Sequence, residues 1–515
     1  MIAMNSTTLQ ESAPSRPKAG RREWIGMAVI ALPCLVYAMD LTVLNLALPA
    51  ISAELKPSSS QLLWIVDIYG FLVAGFLITM GTLGDRIGRR KLLLIGAAAF
   101  AAASAIAALS RSAEMLIAMR ALLGIAGATL APSTMSLIRN MFHDEHERQF
   151  AIGIWIASFS LGGAIGPLVG GVLLQFFPWG SVFLVAVPVM VLLLLVGPAL
   201  LPEYRDPKAG RIDLVSVAQS LVAVLLAIYG LKQVAEHGFN WGRAAMALAG
   251  LAVGAAFVRR QGRLEYPLLD LKLFGQPAFC AAIAAYALSC LAMFGIYIFI
   301  TQYLQLVLGL SPLHAGFATL PWAISFVVGS LVAPQLARRW SRLAIVVWGL
   351  VAAAAGMGLL ALVGNGGSGL ALLVAGTVIM SLGMAPVFTI GNEMIITAAP
   401  PERAGAASAV SETSSEFSGA LGIALFGSAG TALYRGTLAT TMPAGVPPGA
   451  SEAALATLGG AVSASESMTG PVGDALLGAS RMAFVDALQL TAVMGALTMI
   501  AACVVSGRIL RKAAG

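Results

Sequence analysis

Residues 62–110 read LLWIVDIYGFLVAGFLITMGTLGDRIGRRKLLLIGAAAFAAASAIAALS. Two apolar runs of about twenty residues, 62–82 and 91–110, flank a short turn carrying Arg86, Arg89, Arg90 and Lys91. About 20 mostly apolar residues cross a bilayer as a helix, whereas a membrane β-strand alternates its faces over roughly ten. Neither run alternates, so the stretch is a helical hairpin in a membrane and a β-barrel is excluded. The same unit recurs along the chain. Apolar spans lie near 24–50, 62–82, 91–110, 115–139, 149–176, 179–201, 213–232, 243–261, 277–305, 312–336, 342–364, 368–398, 403–435 and 484–508. These fourteen spans predict an all-α polytopic membrane protein.

Composition agrees. The 515 residues are 58% hydrophobic and 11% charged, against about 25% charged in an ordinary soluble chain. Too few charges remain to cover several soluble domains, which disfavours a soluble enzyme, a nucleic-acid binder and a disordered scaffold. The 56 glycines suit helices that approach closely in lipid. The four cysteines, Cys34, Cys280, Cys290 and Cys503, fall inside apolar runs and offer neither metal-ligand spacing nor a disulfide framework.

Cytoplasmic loops of membrane proteins collect Lys and Arg. With the amino terminus inside, 24 of the 31 basic residues fall on the cytoplasmic side and six outside, alternating loop by loop; Arg120 lies within a span. The net charge of +7 is therefore a topology signal rather than a nucleic-acid patch. The polar tail 1–23 lacks a signal-peptide core. Residues 202–212 form a polar joint, and 436–480 read as a long Gly/Ser/Ala/Pro-rich outer loop with room for a short amphipathic helix at 451–467.

An ionised side chain at mid-span costs roughly 2.5–3.5 kcal/mol on insertion scales, so such residues face water, pair or hold protons. Five carboxylates fall within spans: Asp40, Asp67, Glu393, Glu412 and Glu416, against Arg120 as the single clear intramembrane cation. A shared cavity lined by them would carry a surplus of −4 and attract cations. Glu412 and Glu416 are four residues apart and share a helix face, where like charges resist joint ionisation. A proton or an organic cation relieves that repulsion, and the two compete. Alternatives remain at the edges. Asp67 and Arg120 lie five residues inside their spans, within reach of the interface by snorkelling, and Glu393 is seven residues before Pro400, at a possible wet mouth.

Aromatic residues recur beside these charges. Trp64, Asp67 and Phe71 fall at i, i+3 and i+7; Tyr37 precedes Asp40 by three; Trp155 and Phe159 share a face with Gly162 and Gly166; Trp322 precedes Phe326 by four. Ring faces attract flat or quaternary cations, and methionines such as Met39 and Met394 adapt to shape. Ordinary helix packing is the competing reading for each.

The motifs resemble those of the major facilitator superfamily. Gly81-Thr-Leu-Gly-Asp85-Arg86-Ile-Gly88-Arg89-Arg90-Lys91 resembles its signature between helices two and three. Arg120-Ala-Leu-Leu-Gly124-Ile-Ala-Gly127 resembles the fourth-helix motif, and Gly162-Gly-Ala-Ile-Gly166-Pro167-Leu-Val-Gly170-Gly171 the fifth-helix motif of antiporters. Met39-Asp40-Leu-Thr42-Val-Leu-Asn45-Leu-Ala-Leu-Pro49, Trp64-Ile-Val-Asp67-Ile-Tyr69 and Pro267-Leu-Leu-Asp270-Leu-Lys-Leu-Phe274 are similar to the fourteen-helix drug/proton antiporters. Within these the chain resembles quaternary-ammonium exporters of the QacA and SmvA type, with their long loop before the last helix.

The resemblance implies a 6 + 2 + 6 arrangement: a tail 1–23, a six-helix bundle over 24–201, a linker with two helices over 202–276, a second bundle over 277–508, and a cytoplasmic tail 509–515. It implies a coupling proton on Asp40, proton traffic through Arg120, and cation and proton exchange shared by Asp67, Glu412 and Glu416. It also implies a cytoplasmic conformational lock at Asp85 and Arg86. The chain departs from relatives at Phe326, Ser411 and Ala186, and the second-half copy of the loop signature, near Leu336-Ala-Arg338-Arg339, has lost its Gly and Asp.

The function expected is proton-coupled multidrug efflux of lipophilic mono- and dicationic compounds, among them quaternary ammonium biocides and dyes, by alternating access. The alternative is proton-coupled export of an endogenous metabolite. No nucleotide-binding loop occurs. The four histidines lie in loops or at span ends, so no nucleophile–base pair and no metal site is expected; His143 and His146 read as a solvated loop. The expectation is a non-enzymatic, cofactor-free pump whose partners are organic cations, protons and lipid, with no nucleic acid. A monomer in the bacterial cytoplasmic membrane suffices, with both termini inside.

Overall fold

The computed structural model describes residues 18–57, 59–205, 213–237, 240–265, 267–310, 312–364, 369–400, 404–468 and 470–514; within these, the side chains of Asp67 and Pro167 are among those outside the described set. The helices are α1 (Arg21–Leu55), α2 (Ser59–Ile87), α3 (Arg89–Ala108), α4 (Ala113–Gly127), α5 (Leu130–Met141), α6 (Glu145–Phe176), α7 (Ser181–Leu184), α8 (Ala186–Leu200), α9 (Leu214–His237), α10 (Trp241–Gln261), α11 (Pro277–Gln302), α12 (Pro312–Leu336), α13 (Arg342–Leu360), α14 (Gly369–Ala398), α15 (Ala404–Thr441), α16 (Pro448–Ala456), α17 (Leu458–Ser467) and α18 (Pro471–Ala514). Among the described residues there is no strand, and fourteen helical segments are long and apolar enough to cross a membrane. The fourth is α4 with α5, and the sixth α7 with α8. Between α4 and α5 the chain kinks just before Pro132, whose ring cannot donate to the turn behind it. Helix starts are capped as the sequence suggests: Ser112 accepts from the Met115 amide, Asp144 from those of His146 and Glu147, and Ser341 from that of Ala344.

Helices α1 to α8 form one bundle and α11 to α15 with α18 a second. In the first, α1 packs along α6 because Gly162 and Gly166 leave no side chain between them; a methyl at either would overlap the Leu35 carbonyl oxygen or the Thr42 hydroxyl. At the basic turn, Gly88 has φ 111°, a region costly to residues with a Cβ. The Glu203 carboxylate occupies the space a Cβ would need there. It accepts from the Arg90 and Lys91 amides at 3.1 Å, tying the end of α8 to the start of α3.

Two seams join the bundles: α2 and α5 against α15, and α6 against α12. The hairpin of α9 and α10 is applied to the first, with α9 lying on both α2 and α15. Phe71, Ala74, Ile228 and Ala420 form a small separate core there.

The stretch 436–480 is helical for most of its length, which corrects its reading as a long loop. Helix α15 runs on to Thr441, α16 folds back against it, and α17 packs on α16 and α18. Tyr434 donates its hydroxyl to the Ala454 carbonyl (2.8 Å), Arg435 Nε donates to that of Leu455 (3.1 Å), and Ala454, Leu458 and Ala461 are buried. The segment expected at 451–467 is two helices, broken at Thr457, whose hydroxyl caps α17. Glycine and serine masked a run of alanines, the strongest helix former.

Candidate cation and proton site

Three charged clusters occupy the interior, and the sequence had pooled them as one. In the first, Arg120 on α4 is 1% exposed and pairs with Asp40 of α1 at 2.5 Å. Its Nε donates to the Ile65 carbonyl (3.1 Å), and its guanidinium lies 4.5 Å from the centre of the Tyr69 ring. Arg120 thus points inward, which removes the snorkelling reading, and Asp40 is a compensated acid.

The second cluster is on α15. Glu412 and Glu416 are half-buried and close enough to act on one another electrostatically. Glu412 also acts on Cys34 and Tyr37 of α1 and on Tyr286 and Cys290 of α11, so it faces both bundles. Glu416 acts on Tyr37, Tyr69 and Cys290. Among the described residues no cation pairs with Glu412. Tyr37 sees Asp40, Glu412 and Glu416 together and links the first two clusters. An aromatic wall continues from it, with ring centres 5.9 Å away at Tyr69, 5.6 Å at Phe159, and 4.6 Å from Phe159 to Trp155. Trp155 Nε1 donates to Thr134 at 2.9 Å. Across from it stand Tyr286, Phe388 and Phe326 at 4.7 and 5.7 Å spacing. Buried Asn392 accepts from Ser411 (2.8 Å), and its Nδ2 finds no acceptor in the protein. Rings, an uncompensated carboxylate and an idle polar group suit a guest that is flat, apolar and cationic.

The third cluster corrects the reading of Glu393. It is fully buried and bonded to Arg148 of α6 (3.2 Å) and Arg342 of α13 (3.2 Å); Arg342 also pairs with Glu145 (2.6 Å). Arg139 donates to the Ile396 carbonyl beside it. Glu393 therefore holds the two bundles together at the end bearing the basic loops and is no part of the ring-lined wall. Arg148 and Arg342, counted in the sequence only as topology charges, supply the compensation, so the interior surplus is smaller than −4.

Further corrections concern α2. Trp64 stacks on Tyr229 of α9 with ring planes 9° apart, and Phe71 meets Tyr229 edge-on at 5.9 Å. Both lie against the linker helix instead of the cavity, because α9 covers that face. Asp67, between them in sequence, has a side chain outside the described residues, as has Pro167. Among the described residues, Trp322 contacts Tyr297 (5.4 Å), which is 45% exposed, and not the rings around Phe388. Asp85 is bonded to buried Arg89, a residue the motif reading, which gave the conformational lock to Asp85 and Arg86, did not include in that lock. Gly81 and Gly170 are buried. Tyr69, Tyr286 and Asn392 went unread as site residues; only their polar tips in mid-span could have drawn notice.

The sequence pattern of the Major Facilitator Superfamily matches residues 30–423. The chain belongs to the major facilitator superfamily. Among its relatives in the superfamily, the multidrug efflux pump LfrA of Mycolicibacterium smegmatis is 43% identical over 506 residues, covering 98% of this chain and all of that one. The methyl viologen resistance protein SmvA of Salmonella typhimurium is 33% identical over 474 residues, 90% of this chain and 93% of its own. Among solved superfamily folds, the human organic anion transporter MFSD10 (TETRAN) aligns with a TM-score of 0.58 at 16% identity, over 93% of this chain and 99% of that one. A bacterial homologue of the human lysosomal transporter Spinster, inward-facing and unoccupied, gives 0.55 at 19% identity, over 96% and 98%. The superfamily's members here are transporters, not enzymes, and a multidrug efflux pump is among the similar sequences.

Proposed function

We propose that this superfamily member is a proton-driven antiporter that exports lipophilic organic cations, both mono- and dications, from the bacterial cytoplasm. The observation that carries this reading is Glu412: a half-buried carboxylate facing both bundles, beside Glu416, against aromatic rings, with no described cation on it. A cation entering from one side neutralises the pair, and protons arriving from the other displace it. Each elementary charge moved across about 100 mV carries about 2.3 kcal/mol, enough for substantial extrusion when two protons enter per guest.

The similarity to a methyl viologen resistance protein supports the substrate class, since methyl viologen is a flat aromatic dication. Alternation would proceed by opening the Glu393 cluster at one end while the α1–α11 face closes at the other, around a fixed midplane site. The charge asymmetry of the loops supports insertion in the inner membrane with both termini inside, and Asp40, through Arg120 and Tyr37, would relay the coupling proton. We assign a cofactor-free monomer that binds cations and protons and no nucleic acid.

The test is uptake by reconstituted liposomes under an imposed pH gradient, following a fluorescent monocation and a dication. Gradient-dependent uptake of both, lowered about tenfold in Glu412→Gln, is the expected result. Transport unaffected by the gradient, or of neither cation, overturns it.

A further inference from the structure

The two seams between the bundles are finished differently. The α2–α15 seam is covered by α9. Among the described residues no helix covers the α6–α12 seam, although there the bundles touch backbone to backbone, at Gly153 against Ser330. Towards the basic end this seam widens into a cleft of about 550 Å³. Its first wall is α6, with His146 and Phe150; its second is the end of α12 and the turn after it, with Val332, Leu336, Arg338 and Arg339.

Its chemistry divides along the membrane normal. Phe150 and Val332 are each 37% exposed, and Val328 one turn deeper is more so. These are apolar groups facing outward with no protein over them. Arg338 and Arg339 are exposed and make no described ion pair, and Trp340 beside them is half exposed, as expected of a ring at the headgroup level. His146 Nδ1 is buried and has no hydrogen-bond partner. Of the carboxylates beside it, Asp144 is taken up capping α6, accepting from the His146 and Glu147 amides at 3.0 Å, and Glu145 is engaged by Arg342. The cleft therefore offers two guanidinium groups and an idle imidazole nitrogen above an apolar floor that opens sideways. A soluble anion would satisfy the first half of that description and leave the floor bare. A phospholipid satisfies both, since Arg matches phosphate oxygens in a forked geometry and acyl chains cover the floor.

We propose that this cleft seats an anionic phospholipid from the leaflet at the basic end, which joins the two bundles on the side that no linker helix covers. Its phosphate would bond Arg338 and Arg339 of one bundle and His146 of the other, one helical turn from the Glu145–Arg342 pair. The lipid thus favours the arrangement in which that end is closed.

The test uses the full chain in detergent. Unfolding temperature is followed while phosphatidylglycerol, phosphatidylcholine or inorganic phosphate is added, and native mass spectrometry counts the lipids retained. Phosphatidylglycerol should raise the transition more than phosphatidylcholine, and inorganic phosphate should leave it unchanged. Arg338→Gln with Arg339→Gln should need about tenfold more phosphatidylglycerol for half the effect, as loss of charge-assisted bonds to a phosphate predicts, and should retain fewer lipids. A charge-matched control, Arg259→Gln with Arg508→Gln, both exposed and away from the cleft, should behave as the parent. Equal response to the two lipids, an equal loss in the control, or a full shift from inorganic phosphate would each overturn the proposal.

Discussion

Asp40 and Glu412 are both carboxylates in mid-span, yet their surroundings are opposite. Asp40 faces a fully buried guanidinium at 2.5 Å that is itself held by a carbonyl and a tyrosine ring. Glu412 faces another carboxylate, two tyrosines and two thiols. The first arrangement is stable with both groups charged; the second sets two carboxylates against each other, with no described cation on Glu412. Asp40 is thus held by its cation in this structure, whereas on the function proposed above Glu412 is the acid a guest meets.

Removing one member of the fixed pair should have the largest effect. Arg120→Ala leaves Asp40 buried without its cation, and breaking a buried pair from one side costs about 3–5 kcal/mol. The measured unfolding transition should collapse accordingly, and Asp40→Asn added to it should recover part of the loss. If the double change is as damaging as the two singles together, the pair is not the unit it appears to be from its geometry. Glu412→Gln should leave the unfolding transition near its parent value while lowering gradient-driven cation uptake about tenfold, equivalent to about 1.4 kcal/mol. Cation-induced tryptophan quenching in that variant should lose its dependence on pH. A drop in stability comparable to that of Arg120→Ala would erase the contrast between the two acids.

The Glu393 cluster tests whether compensation alone makes a residue structural. Arg342→Gln leaves Glu393 with Arg148 and should weaken closure at the basic end by about 1–3 kcal/mol, the cost of an under-satisfied buried polar group. Distances between spin labels on α6 and α13 should lengthen. The smallest effect belongs to Asp213, half-buried just before α9. The Arg260 guanidinium, then Ser216, hold its carboxyl well below the usual carboxylate range. A depressed value means that its contribution is present above the usual carboxylate pKa and is lost as pH falls towards the folded value. Asp213→Asn should flatten a slight acid-side decline in the unfolding transition and leave transport unchanged.

How far the sequence was legible varies by element. The spans at 62–82 and 91–110 follow from run length alone, and α2 and α3 fall on them. Gly162 and Gly166 were read as a close helix contact, and α1 lies against them. Glu412 and Glu416 were paired by their spacing, and they do interact. Trp64 and Phe71 were misassigned because periodicity specifies a face of α2 but not what that face meets, which proved to be α9. Glu393 was misassigned because its partners, Arg148 and Arg342, are 245 and 51 residues away.

By itself the sequence determined how many times the chain crosses the membrane and which residues must find relief from lipid. Both follow from the free energy of moving a side chain out of water, which depends on the residue and its neighbours along the helix. Only the tertiary structure decided which of those residues found a partner, because ion pairing depends on a few ångströms of separation between helices remote in the chain. Burial cost is a local property and compensation is not, and that is why one row of acids divided into a pair with a buried cation, a bridge between bundles and a pair of carboxylates set side by side.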